Sequence, residues 1–117
     1  MRLRYYTTAR GGRPVAEYIE GLSRTDRAVI AAALGEMAER GLAARGVTFR
    51  QIGGKLWEVR IGPHRVFYVL LDRENMPSVL LHAYRKQSRK APKRHVEIAR
   101  HRCWRFCDEG KTPGCER

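Results

Sequence analysis

Residues 55–68 read Lys55-Leu56-Trp57-Glu58-Val59-Arg60-Ile61-Gly62-Pro63-His64-Arg65-Val66-Phe67-Tyr68, and this stretch decides the fold. Before Gly62 the pattern has a period of two, so Trp57, Val59 and Ile61 fall on one side of a strand and Leu56, Glu58 and Arg60 on the other. Gly62-Pro63 is turn chemistry. The run from His64 to Leu71 is mostly apolar and rich in β-formers, the signature of a central strand. If Ile61 pairs with His64, Arg60 stands directly across from Arg65, and Trp57 stacks on Tyr68 on the opposite, buried face. A slip of one residue would undo both pairs.

Outward from this hairpin, Val47 to Ile52 reads as a preceding strand closed by the turn Gly53-Gly54. Asp72 to Pro77 turns the chain again, and Ser78 to Lys86 is a last strand, apolar at Val79, Leu80 and Leu81 and basic at its end. Before Gly46 the period is helical. Pro14 suits a first helical position, and Val15, Tyr18, Ile19 and Leu22 recur at helical spacing. Ser23 with Asp26 resembles a capping box in which Asp replaces Glu. The helix it opens should bury Val29, Ile30, Ala33, Leu34 and Met37 and stop near Gly41. Arg2 to Thr8 reads as a short strand. Beyond Pro92, Val96, Ala99, Cys103 and Phe106 share one face of a helix that should dock on the sheet. Cys103 is thereby a small core residue. The order implies an α+β domain with an N-terminal strand, a helical hairpin, a mainly antiparallel sheet of about four to five strands and a C-terminal helix. We place this domain at residues 1–102 and a Cys-containing tail at 103–117.

A chain of 117 residues, 43% of them hydrophobic, fits one globular domain with a core of its own. Its 24 Lys+Arg against 12 Asp+Glu give a net charge of +12. Such imbalance self-repels and points to a polyanionic partner, nucleic acid before an anionic membrane or an acidic protein. The N-terminus Met1-Arg2-Leu3-Arg4 is charged where a secretory signal would be apolar, and no apolar run approaches the roughly 18 residues of a membrane span. The three cysteines, Cys103, Cys107 and Cys115, do not frame a disulfide scaffold. A cytoplasmic location is expected.

The basic charge is concentrated. Arg85, Lys86, Arg89, Lys90, Lys93, Arg94, Arg100, Arg102 and Arg105 lie in one segment with Glu97 its only acid. Lys93 and Arg94 occupy a helical first turn, where the dipole disfavours cations, and a phosphate backbone would offset that cost. Arg60 opposite Arg65, with no local acid, would form a phosphate clamp, since Arg forks match phosphate oxygens. Carboxylates are scattered, with no D-x-D and no H-E-x-x-H, and the tail cysteines make a poor zinc site. No metal and no cofactor are expected. RNA cleavage without metal uses the substrate's 2′-hydroxyl as nucleophile and needs a base, cations for the phosphate and an acid for the leaving oxygen. His82, Tyr84, Arg85 and Lys86 supply such groups, and His101 is a second candidate proton carrier.

These residues carry a resemblance. Leu56-Trp57-Glu58-Val59-Arg60-Ile61 followed by Arg65-Val66-Phe67-Tyr68, and Leu81-His82-Ala83-Tyr84-Arg85-Lys86-Gln87-Ser88-Arg89-Lys90-Ala91-Pro92, resemble the central strands and helix entry of the RelE/ParE toxin superfamily, nearest its phage-derived HigB-like branch. The resemblance covers roughly Met1 to His101, and the cysteine-rich end has no counterpart in it. It implies the toxin of a type II toxin–antitoxin system, a ribosome-associated mRNA endoribonuclease paired with an antitoxin that is often a helix-turn-helix DNA-binding protein. It implies mRNA contact or catalysis at Arg65, Arg85 and Lys86, with Arg60 on the preceding strand. The expected site is then His82, Tyr84, Arg85 and Lys86 for catalysis, with Arg60, Arg65, Arg89, Lys90, Lys93 and Arg94 for phosphate. Two other readings fit the fold: a ParE-like inhibitor that binds DNA gyrase, and a non-toxic nucleic-acid-binding protein.

Overall fold

The computed structural model describes residues 1–71, 77–87, 89 and 92–110, of which 107–110 by backbone alone. In chain order come β1 (Leu3–Tyr5), α1 (Pro14–Glu20), α2 (Arg24–Arg40), a 3₁₀ turn (Gly41–Ala43), β2 (Thr48–Gly53), β3 (Leu56–Ile61), β4 (His64–Val69), β5 (Ser78–Arg85) and α3 (Lys93–Gly110). The strands form one sheet in the order β1-β5-β4-β3-β2. Strands β2 to β5 are an antiparallel meander, and β1 joins β5 in parallel. The expected α+β class holds, including its C-terminal helix. The hairpin register also holds: Ile61 opposes His64, Arg60 opposes Arg65, and Trp57 opposes Tyr68. Gly62, at φ 57°, supplies the left-handed residue that the two-residue turn requires.

The sheet is covered on both faces. Val59, Ile61, Val66, Tyr68 and Leu80 pack with Val15 of α1 and Ile30, Ala33 and Met37 of α2. On the other face Leu56, Phe67, Val69 and Leu81 pack with Ala99 and Cys103 of α3. Cys103 is buried, and burial pushes its thiol pKa up to about 11, so it is core, not a reactive thiol. Helix α3 runs unbroken through residue 102, where the sequence reading ends the domain. Among the described residues no helix is long and apolar enough to cross a membrane.

Two local expectations change. Val29 is 47% exposed, because the buried stripe of α2 runs through Ile30, Ala33 and Met37 and leaves the preceding residue about 100° off it. Ser23 does cap α2, its Oγ accepting from the Asp26 N–H at 3.2 Å. The Asp26 carboxylate, however, faces inward, 3.8 Å from His64 Nε2 and 3.4 Å from Arg85.

His64, 1% exposed, anchors the hairpin to α1. The Tyr18 hydroxyl lies 2.7 Å from His64 Nδ1, a hydrogen bond, and burial raises the Tyr18 pKa, so the phenol keeps its proton. The Asp26 carboxylate facing Nε2 favours the tautomer with its hydrogen there, in which Nδ1 accepts from the Tyr18 hydroxyl, and burial lowers the His64 pKa, which favours the neutral ring. Tyr18→Phe leaves both ring nitrogens without a hydrogen-bond partner. It should cost about 1–3 kcal/mol in chemical denaturation, and an unchanged midpoint would contradict this account.

Candidate nucleic-acid interface

Period-two alternation sends Glu58 and Arg60 of β3 toward the α3 side of the sheet, and the strand pairings extend each into a rung. Arg50, Glu58, Phe67 and His82 are successive cross-strand partners, as are Arg60, Arg65 and Tyr84. The charged ends of these rungs line an open bowl of about 370 Å³. Lys86 and Arg89, just past β5, and Pro92, Val96 and Arg100, at and along α3, complete its wall. Six cationic side chains and one carboxylate therefore share this cavity.

That carboxylate corrects the sequence reading of arginines with no local acid. Glu58 is only 5% exposed, and its Oε1 accepts from Arg60 Nε at 3.2 Å. Buried carboxylates need such partners. The Arg65 guanidinium is held at the turn, donating to the carbonyls of Gly62 at 2.6 Å and His64 at 3.1 Å. Arg100 lies over Gly53, where a Cβ would come within 3.4 Å of its guanidinium. Tyr84 is buried at 6% exposure. Burial first, then Glu58, raises its pKa against the opposing pull of Arg65, Arg60 and Arg50, so the phenol keeps its proton.

Behind the bowl lies an aromatic stack. His95 of α3 lies on Tyr84 at 4.1 Å between centroids and 5° between planes. His82 meets His95 edge to edge, 5.0 Å between centroids with planes 24° apart, and Phe67 lies 5.9 Å from Tyr84 at 19°. His82 Nε2 is 2.8 Å from His95 Nδ1, and His82 Nδ1 is 3.2 Å from Arg102. Burial first, then the positive charge of Arg102 and the neighbouring His95, lowers the His82 pKa to about 4.

Residues 17–103 match the family described as Phage derived protein Gp49-like (DUF891). The chain belongs to this family. It is a RelE-like toxin family, and the matched span contains every residue that lines the bowl. No curated protein matches the chain.

The Gp49-like chain brings together Arg60, Arg65, Tyr84, Lys86 and Arg89 of the expected site. Arg85 falls elsewhere: alternation along β5 turns it to the helical-hairpin face, where it meets Asp26. His82 lies behind the bowl, with both ring nitrogens engaged and its ring neutral at neutral pH. Lys93 and Arg94 stand exposed in the first turn of α3, and His101 is exposed outside the bowl's lining. Lys90 and Cys115 lie outside the described residues, as does the side chain of Cys107. Among the described residues no three of His, Cys, Asp and Glu gather as a metal site would. Sequence reasoning missed Glu58, Arg50, Arg100 and His95. Glu58 carried a signal, two residues from Arg60 on the same strand face, and Arg100 lay in the basic segment without being assigned to the site.

Arg60 and Arg65 should therefore differ in what they do for the fold. Arg60→Ala strands a buried carboxylate and should cost about 1–3 kcal/mol. Arg65→Ala removes bonds made at an exposed turn and should cost under about 1 kcal/mol. Adding Glu58→Gln to Arg60→Ala should recover part of the loss. Equal melting losses in the two single variants would contradict the assignment.

Proposed function

We propose that this chain is the toxin of a type II toxin–antitoxin system, HigB-like in kind, that cleaves mRNA without a metal ion. The observation that carries the reading is one buried carboxylate inside a ring of cations, beside a tyrosine that keeps its proton. Glu58 accepts the proton of a substrate 2′-hydroxyl. The 2′-oxygen forms a bond to phosphorus as the bond to the 5′-oxygen breaks, and Tyr84 gives its proton to that leaving oxygen. Arg60 and Arg65 hold the non-bridging oxygens, whose charge grows in the transition state. Arg50, Lys86, Arg89 and Arg100 track neighbouring phosphates. DNA lacks the nucleophile, so the same site would bind DNA without cutting it.

Before induction the bowl needs a cover. The partner on this reading is an antitoxin, of helix-turn-helix type in the HigB-like branch, that presents an acidic segment to these cations. The substrate is mRNA engaged by the ribosome, which sets the work in the cytoplasm.

The test is cleavage of RNA by the purified chain, with and without ribosomes, in excess EDTA. Activity should survive the chelator. Glu58→Gln should lose about 10²- to 10⁴-fold, Tyr84→Phe should fall in the same range, and Arg65→Ala should lose about ten- to a hundredfold. Melting curves should keep the Arg65 and Tyr84 variants near wild type. Inhibited gyrase supercoiling with intact RNA, insensitive to Glu58→Gln, would favour the gyrase-binding alternative instead.

A further inference from the structure

We propose that Arg102, His82 and His95 form a one-way hydrogen-bond relay that fixes both imidazoles as neutral Nε2–H tautomers and thereby positions Tyr84, without carrying protons. The proposal rests on the reading of Tyr84 as the group that protonates the leaving oxygen. Its geometry stands apart from that reading.

The direction of the relay follows from what each group can do. A guanidinium has donors and no acceptor. Arg102 is set in place by its bond to the Leu81 carbonyl at 2.9 Å, and its guanidinium lies over the Tyr6 ring at 5.8 Å. The same nitrogen meets His82 Nδ1 at 3.2 Å, so that ring nitrogen must accept. A neutral His82 then carries its hydrogen on Nε2, which donates to His95 Nδ1 at 2.8 Å. His95 is left with its own hydrogen on Nε2. Adding a proton at either accepting nitrogen, His82 Nδ1 or His95 Nδ1, sets two N–H groups against each other. Neither ring can take part in acid–base chemistry through those atoms.

The charges around the pair act in the same sense. His82 faces Arg102 and His95 from α3, Phe67 from β4 and Tyr84 on its own strand, none of them a carboxylate. His95 feels Arg94, and burial and that charge lower its pKa.

What the relay holds is Tyr84. Its ring lies 5.9 Å from Phe67 of β4 and 4.1 Å from His95 of α3, almost parallel to the latter. His95, Ala99, Arg102 and Cys103 share one face of α3 at helical spacing. Arg102 fixes that helix to the Leu81 carbonyl on β5, three residues before Tyr84. The helix that supplies one side of the stack is thus registered against the strand that supplies the phenol. His95 is a positioning residue in this account, and His82 the link that orients it.

Long-range nitrogen–proton spectra of the ¹⁵N-labelled full chain, taken from pH 8 to 5.5, test the relay. Both histidines should show the Nε2–H tautomer at pH 7 to 8, and His82 should keep it down to pH 5.5. A wild-type ring that carries hydrogen on Nδ1, or that is cationic at pH 7, overturns it. Arg102→Met should let His82 sample both tautomers and gain a proton nearer the ordinary pH; the wild-type spectrum decides alone if that variant does not fold. For positioning, His95→Ala should lower kcat about three- to tenfold with KM little changed, and His95→Phe, which keeps the stack, should recover most of it. Equal losses in the two variants would make His95 a proton carrier and overturn the proposal. Wild-type protein that cleaves no RNA would sink the nuclease reading, while the tautomers would still decide the relay.

Discussion

The register of the β3–β4 hairpin is the constraint on which the rest depends. With Ile61 against His64, Val59, Ile61, Val66 and Tyr68 all reach the helical hairpin, and Glu58, Arg60 and Arg65 all reach the α3 side. A slip of one residue would expose one core and bury arginines in the other. Gly62 closes the turn in a conformation open to glycine at little cost, and His64 ties the first residue of β4 to Tyr18. Structure and site share one determinant.

The two faces solve the same problem differently. On the hairpin face, one buried histidine is bonded to a tyrosine through Nδ1, and its Nε2, without a hydrogen-bond partner, lies 3.8 Å from Asp26. On the α3 face, Glu58 is retained inside an excess of cations that a stability argument alone would not assemble. Like charges directly across strands weaken a sheet, and one carboxylate does not balance six cations. A polyanion would balance them, so the bowl, rather than the net charge of +12, is where we propose the interface.

Much of this was legible in the sequence, for definite reasons. Alternation at Leu56 to Ile61 and turn chemistry at Gly62-Pro63 are local signals, so strand faces and register could be read. Ser23 as cap follows from the capping-box pattern with Asp26, and Cys103 as core from helical spacing. Arg85 was misplaced because it was grouped with Tyr84 by adjacency, when neighbours on a strand point to opposite faces. Glu58 was placed on the correct face but not recognised as the acid beside Arg60. Arg50, Arg100 and His95 join the site only through strand pairing and helix docking at long range, which no local pattern encodes. The parallel pairing of β1 with β5 was hidden for the same reason.

The central claim is that a carboxylate at Glu58 turns the substrate's own 2′-hydroxyl against its phosphate. The measurement that tests it most directly is the end chemistry of RNA cut by the wild-type chain. The account predicts a 2′,3′-cyclic phosphate on one fragment and a free 5′-hydroxyl on the other, with no cut at a site carrying a single 2′-deoxy substitution. Fragments bearing 5′-phosphate and 3′-hydroxyl ends, or cleavage that persists at the deoxy site, would contradict it.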